Sequence, residues 1–406
     1  MRDQESTGGG PLAGLKVLEL GQLLAGPFCA SMLGYFGADV IKIEPPGRGD
    51  PLRNWRLLDE QGTSWWWHSL ARNKQSVAID LRQDEGRALV RRLIEQVDIV
   101  VENFRPGTLE KWGMGPEQYA ESHPHIVFTR ISGYGQDGPY AERPGFASAC
   151  EAMGGLRYVN GFPGEAPVRA NLSMGDTLAG LHAVIGTLLA LWQRQKTGGK
   201  GQVVDASILE SAFNLLEGVV PEYTGAGVVR EPAGTTVTGI VPTNTYPCAD
   251  GKYIVIGGNN DSIYKRLMQC AGREDLGNHT EMSDNAGRVR HQAVIDAAIT
   301  HWTSGLDSAI ALEQLRVAKV PSAPIYSVAD MATDPHFRQR GLFEQTQRPN
   351  GEWLEVPALH PKLKATPGGS RRAAPTLGAD TDPILRELLN MEETNLTELR
   401  QRGVIE

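Results

Sequence analysis

From Leu15 to Glu44 the chain reads LKVLELGQLLAGPFCASMLGYFGADVIKIE, and the fold class follows from this stretch. Leu15–Leu20 is an apolar run of strand length, Pro27–Phe36 carries helical spacing, and Asp39–Glu44 is a second strand. The alternation continues outward. Ser76–Leu81 reads as a strand. Asp84–Gln96 reads as a helix, with Leu89, Leu93 and Val97 on one face, and Asp98–Glu102 and His125–Ile131 are further strands. Short apolar strands separated by helices imply βαβ units and a mostly parallel sheet. The pattern stops near residue 210, which favours an open, doubly wound (Rossmann-like) α/β sheet over a closed barrel.

Residues 177–195 form the clearest helix, with Leu178, Leu181, Val184, Ile185, Leu188, Leu189 and Trp192 marking a broad apolar face. The glycines of Lys196–Gly201 stop it, and Val203–Ser207 follows as a strand. From Tyr223 to Gly239 the composition shifts to Gly, Thr and Val without periodicity, as in a linker or mobile loop. A second unit then opens at Tyr246–Ile256, where Asp250-Gly251 is a turn signal between strands. Helical segments run to about Lys319, a polar stretch spans Thr366–Pro375, and a helix covers Asp382–Asn390. The expected organisation is a flexible N-terminus over 1–10, a large α/β domain over 11–225, a small α+β domain with linkers over 226–330, and a return segment, 331–406, that completes the large domain. No internal repeat is present.

With 406 residues the chain suits two to three domains at about 150 residues each. Forty Lys and Arg against 48 Asp and Glu leave a net charge of −8, which argues against a nucleic-acid partner. Hydrophobic residues at 40% exclude intrinsic disorder. Cys29, Cys150, Cys248 and Cys270 form no CxxC or Cys/His cluster, so no metal site is expected. The first ten residues contain no signal-peptide-like run, and the apolar segment Thr177–Gln193 is too short and mixed to span a bilayer. A cytoplasmic location without membrane attachment is expected.

Gly133-Tyr-Gly135-Gln-Asp-Gly138 matches the dinucleotide pattern GxGxxG and follows a strand. Pro139 comes next where a helix should open, so the residues read as a glycine-rich turn. Asp176, after Gly175 and directly before the strong helix, reads first as an N-cap. The cap role is compatible with a second one, that of an ionised, accessible carboxylate nucleophile at the positive end of a helix. Basic residues gather in the first 145 positions: Arg48, Arg53, Arg56, Arg72, Lys74, Arg82, Arg105, Lys111 and Arg143. Several follow strands, at the edge where α/β sheets bind ligands, and a phosphate-bearing ligand would need such charge. Trp65-Trp66-Trp67 reads as packing or an interface, and His182 as a core histidine. No Ser/His/Asp elbow, P-loop or HExxH occurs.

Taken together, Pro11–Leu20, Ala25-Gly-Pro27, Leu33–Glu44, Asn73-Lys74, Ile79-Asp-Leu81, Val101–Gly107, Ile131–Pro139, Gly175-Asp176 and Lys196–Gln202 resemble the family III CoA-transferases (the CaiB/BaiF family). The resemblance runs from about Pro11 to the C-terminus. It implies an aspartate nucleophile at Asp176 and coenzyme A contacts from Leu24, Ala25, Ile79, Asp80, Leu81, Arg82, Asn103, Phe104, Arg105, Lys111 and Arg143. It also implies an interlocked, ring-shaped homodimer, acyl-CoA as a substrate and no permanently bound cofactor. Pro45 departs from the pattern where some members place an arginine on the CoA nucleotide, and Arg48 is the possible substitute. The α-methylacyl-CoA racemases share the fold but add a histidine upstream of the aspartate. No histidine lies between His125 and His182, and a racemase needs a second base. A non-catalytic acyl-CoA-binding protein is the remaining alternative. Gly234–Tyr246 resembles members that use succinyl-CoA with malate, citramalate or itaconate. A second carboxylate would want a bidentate arginine, for which Arg48, Arg53, Arg72 and Arg169 are candidates. Gly234–Gly239 and Gly257-Gly258 are candidates for a lid.

Overall fold

The computed structural model describes residues 9–406; most of the segment expected to form a flexible N-terminus, residues 1–8, lies outside the described residues. Six strands build the principal sheet: β1 (Lys16–Glu19), β2 (Asp39–Glu44), β3 (Lys74–Ala78), β4 (Ile99–Glu102), β5 (Val127–Ser132) and β6 (Val203–Ser207). All pairings are parallel, in the order 3-2-1-4-5-6. Successive side chains alternate between the two faces of this sheet. Val17, Val40 and Ile99 pack under the helices Ala25–Tyr35 and Met174–Lys196. Leu18, Ile41 and Val100 face the helices Asp84–Ile94 and Thr381–Leu389 on the other side. Burial on both faces explains why these strands read as nearly continuous apolar runs.

Chain contacts divide the protein into two compact units. One reaches to Leu156 and includes Ala170–Glu217 and His336–Glu406; the other comprises Arg157–Arg169 and Gly218–Pro335. The second unit holds an antiparallel sheet of β7 (Thr243–Pro247), β8 (Tyr253–Gly257) and β9 (Ser322–Pro324). Its own core joins Tyr246, Ile254, Ile256, Leu267, Ile295 and Leu315. Asp250-Gly251 turns the first hairpin, with Gly251 at φ +76°. The first unit also carries an unanticipated hairpin, β10 (Phe343–Gln347) with β11 (Trp353–Pro357). Asn350-Gly351 at its turn is the sequence signal that marks it.

Three expectations change. The segment expected to be linker from Tyr223 begins inside a helix, Val219–Ala226. Gly257 is the last residue of β8 and donates to the Pro321 carbonyl, while Gly258 donates to Pro242, so this pair is a strand end and not a lid. The Met174–Lys196 helix has the length and apolarity of a membrane span, yet the apolar face read from its sequence is not the packed one. Ala179, Ala183, Thr187 and Ala190 are buried. Leu181, Ile185, Leu188, Leu189 and Trp192 are exposed, Leu189 at 62%. Small residues let this helix approach the sheet and the Ala25–Tyr35 helix closely; of the large ones Val184 and Leu191 are buried with them, and the rest of the apolar face points away.

Candidate active site

In a sheet of order 3-2-1-4-5-6 the connections leave β1 and β4 in opposite directions, which opens a crevice outside their carboxyl ends. A cavity of about 410 Å³ lies there. Its walls come from the loop after β1 (Gln22–Ala25), the loop after β4 (Asn103–Pro106), the end of β5 (Ile131–Gly133), the segment Ala141–Phe146, and Asp176 with Ile208. A somewhat larger cavity, about 490 Å³, opens at the amino edge of β1–β3 beside Lys16 and Asp39. The strand-end rule selects the smaller one, because ligands in such sheets sit at the carboxyl edge.

The β1 loop is held from beneath by buried charge. Lys42 Nζ reaches Glu19 Oε1, Asp50 Oδ2 and the Gly21 carbonyl, each at 2.8 Å. Asp50 accepts the Leu23 N–H at 3.1 Å, which secures Leu23 in the left-handed region at φ +65°. Lys74 Nζ pairs with Glu19 Oε2 at 2.7 Å and donates to the Pro27 carbonyl at 2.8 Å. Burial alone would lower the Lys42 pKa; Asp50 and Glu19 instead hold it above the usual lysine value. For Lys74 desolvation outweighs Glu19 and the shift is downward.

Asn103 grips the same loop from the other side. Its Oδ1 accepts the Gln22 N–H and its Nδ2 donates to the Gln22 carbonyl, both at 2.8 Å. Beside it, Phe104 packs edge-on against Trp112 and donates its N–H to Glu102 Oε2 at 2.7 Å. Glu102 is buried, and desolvation pushes its carboxyl up to about 7 despite Arg130 Nε at 2.8 Å. Arg143 lies over the Tyr140 ring at 3.7 Å. A Cβ at Gly133 would stand 2.9 Å from the Gly145 Cα, so two glycines let the Arg143–Gly145 segment close onto the end of β5.

Asp176 is half-buried in this wall, in the first turn of the Met174–Lys196 helix. It is not the N-cap that its sequence position suggested: Ser173 stands there, two residues before Gly175. The buried carboxylate of Glu151 instead accepts the Gly175 N–H, at 2.8 Å. Sequence reasoning missed Glu151, which lies in the helix Ala147–Met153. Cys150 beside it is buried, and its thiol is pushed up by desolvation, with Asp176 and Glu151 adding to the shift.

Of the residues singled out from the sequence, the cavity therefore brings together Leu24, Ala25, Asn103, Phe104, Arg105, Arg143 and Asp176. Ile79, Asp80, Leu81, Arg82 and Lys111 lie outside its walls. Ile79 is fully buried, and Asp80 donates its N–H to the Val404 carbonyl. Arg82 chelates Asp80 through Nε and Nη2, which holds the Asp80 carboxyl down at about 2. Two arginines proposed for a second carboxylate are engaged elsewhere. Arg53 forks onto Glu44, and Arg72 donates to the Ser69 and Pro357 carbonyls. Gly133–Gly138 is a loop that opens no helix, as its context suggested. Trp67 is buried with the Arg53 guanidinium 3.8 Å over its ring, and His182 is bound to Ser211 at 2.9 Å, half-buried at the helix surface.

A family model for CoA-transferase family III matches residues 12–381. The chain is 44% identical to a succinyl-CoA–D-citramalate CoA-transferase of Chloroflexus aurantiacus, over 97% of this chain and 98% of that one. It is 38% identical to the beta subunit of that organism's succinyl-CoA–L-malate CoA-transferase, with the same coverage. Its structure resembles the crystal structure of a CaiB/BaiF family protein from Brucella suis with a TM-score of 0.82 at 32% identity, over 94% of this chain and all of that one.

Proposed function

The chain belongs to CoA-transferase family III and is a CoA-transferase, and from that premise we propose that it carries CoA from succinyl-CoA to a small dicarboxylic acid such as citramalate, malate or itaconate. The observation that carries the reading is the placement of Asp176: a half-buried carboxylate at the positive end of a helix, in the wall of the crevice cavity, with Arg105 and Arg143 in the same wall. The donor and acceptor classes rest on the activities named for the two Chloroflexus relatives.

In this mechanism an Asp176 oxygen attacks the thioester carbonyl carbon, the C–S bond breaks, and a mixed anhydride forms with CoA thiolate beside it. The thiolate attacks the Asp176 carbonyl carbon and expels the donor acid, leaving an enzyme–CoA thioester. An acceptor carboxylate oxygen attacks this thioester, forming a second anhydride, and the thiolate then takes the acceptor's acyl carbon and frees Asp176. Every intermediate hydrolyses if water enters, so the enclosing walls matter as much as the nucleophile. Leu24, Ala25, Asn103, Phe104, Arg105 and Arg143 would hold the coenzyme at the cavity, and Leu81, Arg82 and Lys111 would lie along its outer length. Arg48 remains for the CoA nucleotide. A racemase would need a second base, and no histidine is among the described residues that line the cavity. The reading includes a homodimer, for which the exposed Leu181, Ile185, Leu188, Leu189 and Trp192 supply an apolar face; a monomer in sedimentation equilibrium would overturn it. The unpaired thiols suit a cytoplasmic enzyme.

Incubation with succinyl-CoA without acceptor, followed by hydroxylamine or borohydride, is expected to modify the peptide containing Asp176 and abolish transfer. A folded Asp176→Ala enzyme that still transfers CoA would overturn the assignment, as would α-proton exchange without any trapped adduct.

A further inference from the structure

Resting on the reading of Asp176 as nucleophile, we infer that Glu151 is a positioning residue of the reaction: its buried carboxylate fixes the helix turn from which Asp176 attacks. Glu151 is 5% exposed, and a carboxylate is almost never buried this deeply unless it is paired. It accepts the Gly175 N–H at 2.8 Å, one of the four amides that a helix start leaves without an intrahelical partner. Ser173, at the N-cap, makes no side-chain bond to the turn. The cap comes instead from a separate helix, 24 residues earlier in the chain.

Gly175 is shaped for this contact. A Cβ on it would stand 2.8 Å from Glu151 Cγ, 2.8 Å from Ile208 Cγ2 and 3.0 Å from Glu151 Oε1. The carboxylate therefore occupies the space that a side chain before Asp176 would need. Because Ile208 and Asp176 share the cavity wall, the Glu151–Gly175 contact ties the nucleophile's own backbone to one side of the pocket. A displacement near 1 Å at such a point is enough to cost about 10²-fold in rate.

The test separates the hydrogen bond from bulk and from charge. Glu151→Met keeps side-chain length without the acceptor oxygen; Glu151→Gln keeps the oxygen without the charge. The Met variant is expected to lose about 10²-fold in kcat, with the KM for succinyl-CoA changed less than about threefold. The Gln variant should recover to within about threefold of wild type, and the rate of hydroxylamine trapping at Asp176 should follow the same order. Gly175→Ala should reproduce the Met phenotype by pushing Glu151 out. Thermal melts of all three confirm a folded protein, and if the Met variant does not fold, the Ala and Gln variants decide. A Met or Ala variant with wild-type kcat overturns the inference, as does a Gln variant no better than Met. Asp176→Ala, run alongside, distinguishes the two failures: transfer by Asp176→Ala sinks the nucleophile reading and this inference with it, whereas an inactive Asp176→Ala beside an unimpaired Glu151→Met sinks this inference alone.

Discussion

Beneath the carboxyl end of β1, Glu19, Lys42, Asp50 and Lys74 are each exposed by 1% or less and bind one another and nearby backbone carbonyls. In the cavity above them Arg105 and Arg143 are exposed side chains, and Asp176 is half-buried. One region consumes its charges internally; the other leaves them facing the space a ligand would fill. Buried ion pairs bring little net stability over an apolar core, but breaking one leaves an uncompensated charge. Exposed arginines bring almost none, and their effect appears only when an anion arrives. The difference suggests that the lower cluster serves geometry, holding Gly21, Leu23 and Pro27 in place, while the upper one serves recognition.

The sharpest way to break this contrast is Lys42→Met. It leaves Glu19 and Asp50 buried with one cation fewer, and unfolding in urea is expected to show a loss of about 3–5 kcal/mol. A loss under about 1 kcal/mol would mean that the cluster is not the constraint described here.

Glu102 stands between the two regions, buried like the first and adjoining the second. Its carboxyl titrates near 7 in the folded chain against a reference value of 4.5. A raised acid is protonated in the native state over a range where the unfolded chain is not. Its contribution to stability is therefore fully present below about pH 4.5 and is lost as pH rises through 7. The loss is on the order of 3 kcal/mol. Glu102→Gln should flatten that slope in urea melts taken from pH 4.5 to 8; identical slopes in the two proteins would refute it.

The smallest stability effect belongs to the cavity. Arg105→Ala and Arg143→Ala should each change unfolding free energy by less than about 0.5 kcal/mol, yet raise the KM for succinyl-CoA about tenfold, with the defect growing as salt is removed. Unchanged KM values would make both residues ordinary surface.

How much of this was legible depends on what each residue answers to. β2 falls on Asp39–Glu44, the stretch read as a strand, because a strand buried on both faces must be an apolar run. Lys42 in its midst gave no sign of full burial, since its partners Glu19 and Asp50 come from other elements. Asp176 was legible as the start of a helix but not as a residue whose cap is supplied elsewhere. Glu151 sits in a short helix that no strong periodicity announces. The exposed face of the Met174–Lys196 helix was misread for a physical reason: periodicity shows where large apolar residues gather, whereas close helix packing selects the small ones. Within the crevice, Leu24, Ala25, Asn103, Phe104, Arg105 and Arg143 were expected from the family resemblance, and Arg105 and Arg143 also as members of a basic cluster near strand ends; all six line the one cavity at the carboxyl edge.

The edge of the sheet at β3 is finished by the far end of the sequence. Ile79 bridges to Ile405, Asp80 donates to Val404, and the Ser76 N–H reaches the Asp380 carboxylate. The second unit closes its sheet and core almost wholly within Gly218–Pro335. In terms of assembly order, the inserted unit can complete itself from local contacts while the outer one still lacks the segment that covers Ile79 and Leu93. Closing so long a loop costs only slightly more entropy than closing a short one, but it comes late, because contacts distant in sequence form slowly. The parallel sheet that carries the active site is thus expected to be the last part of the chain to close.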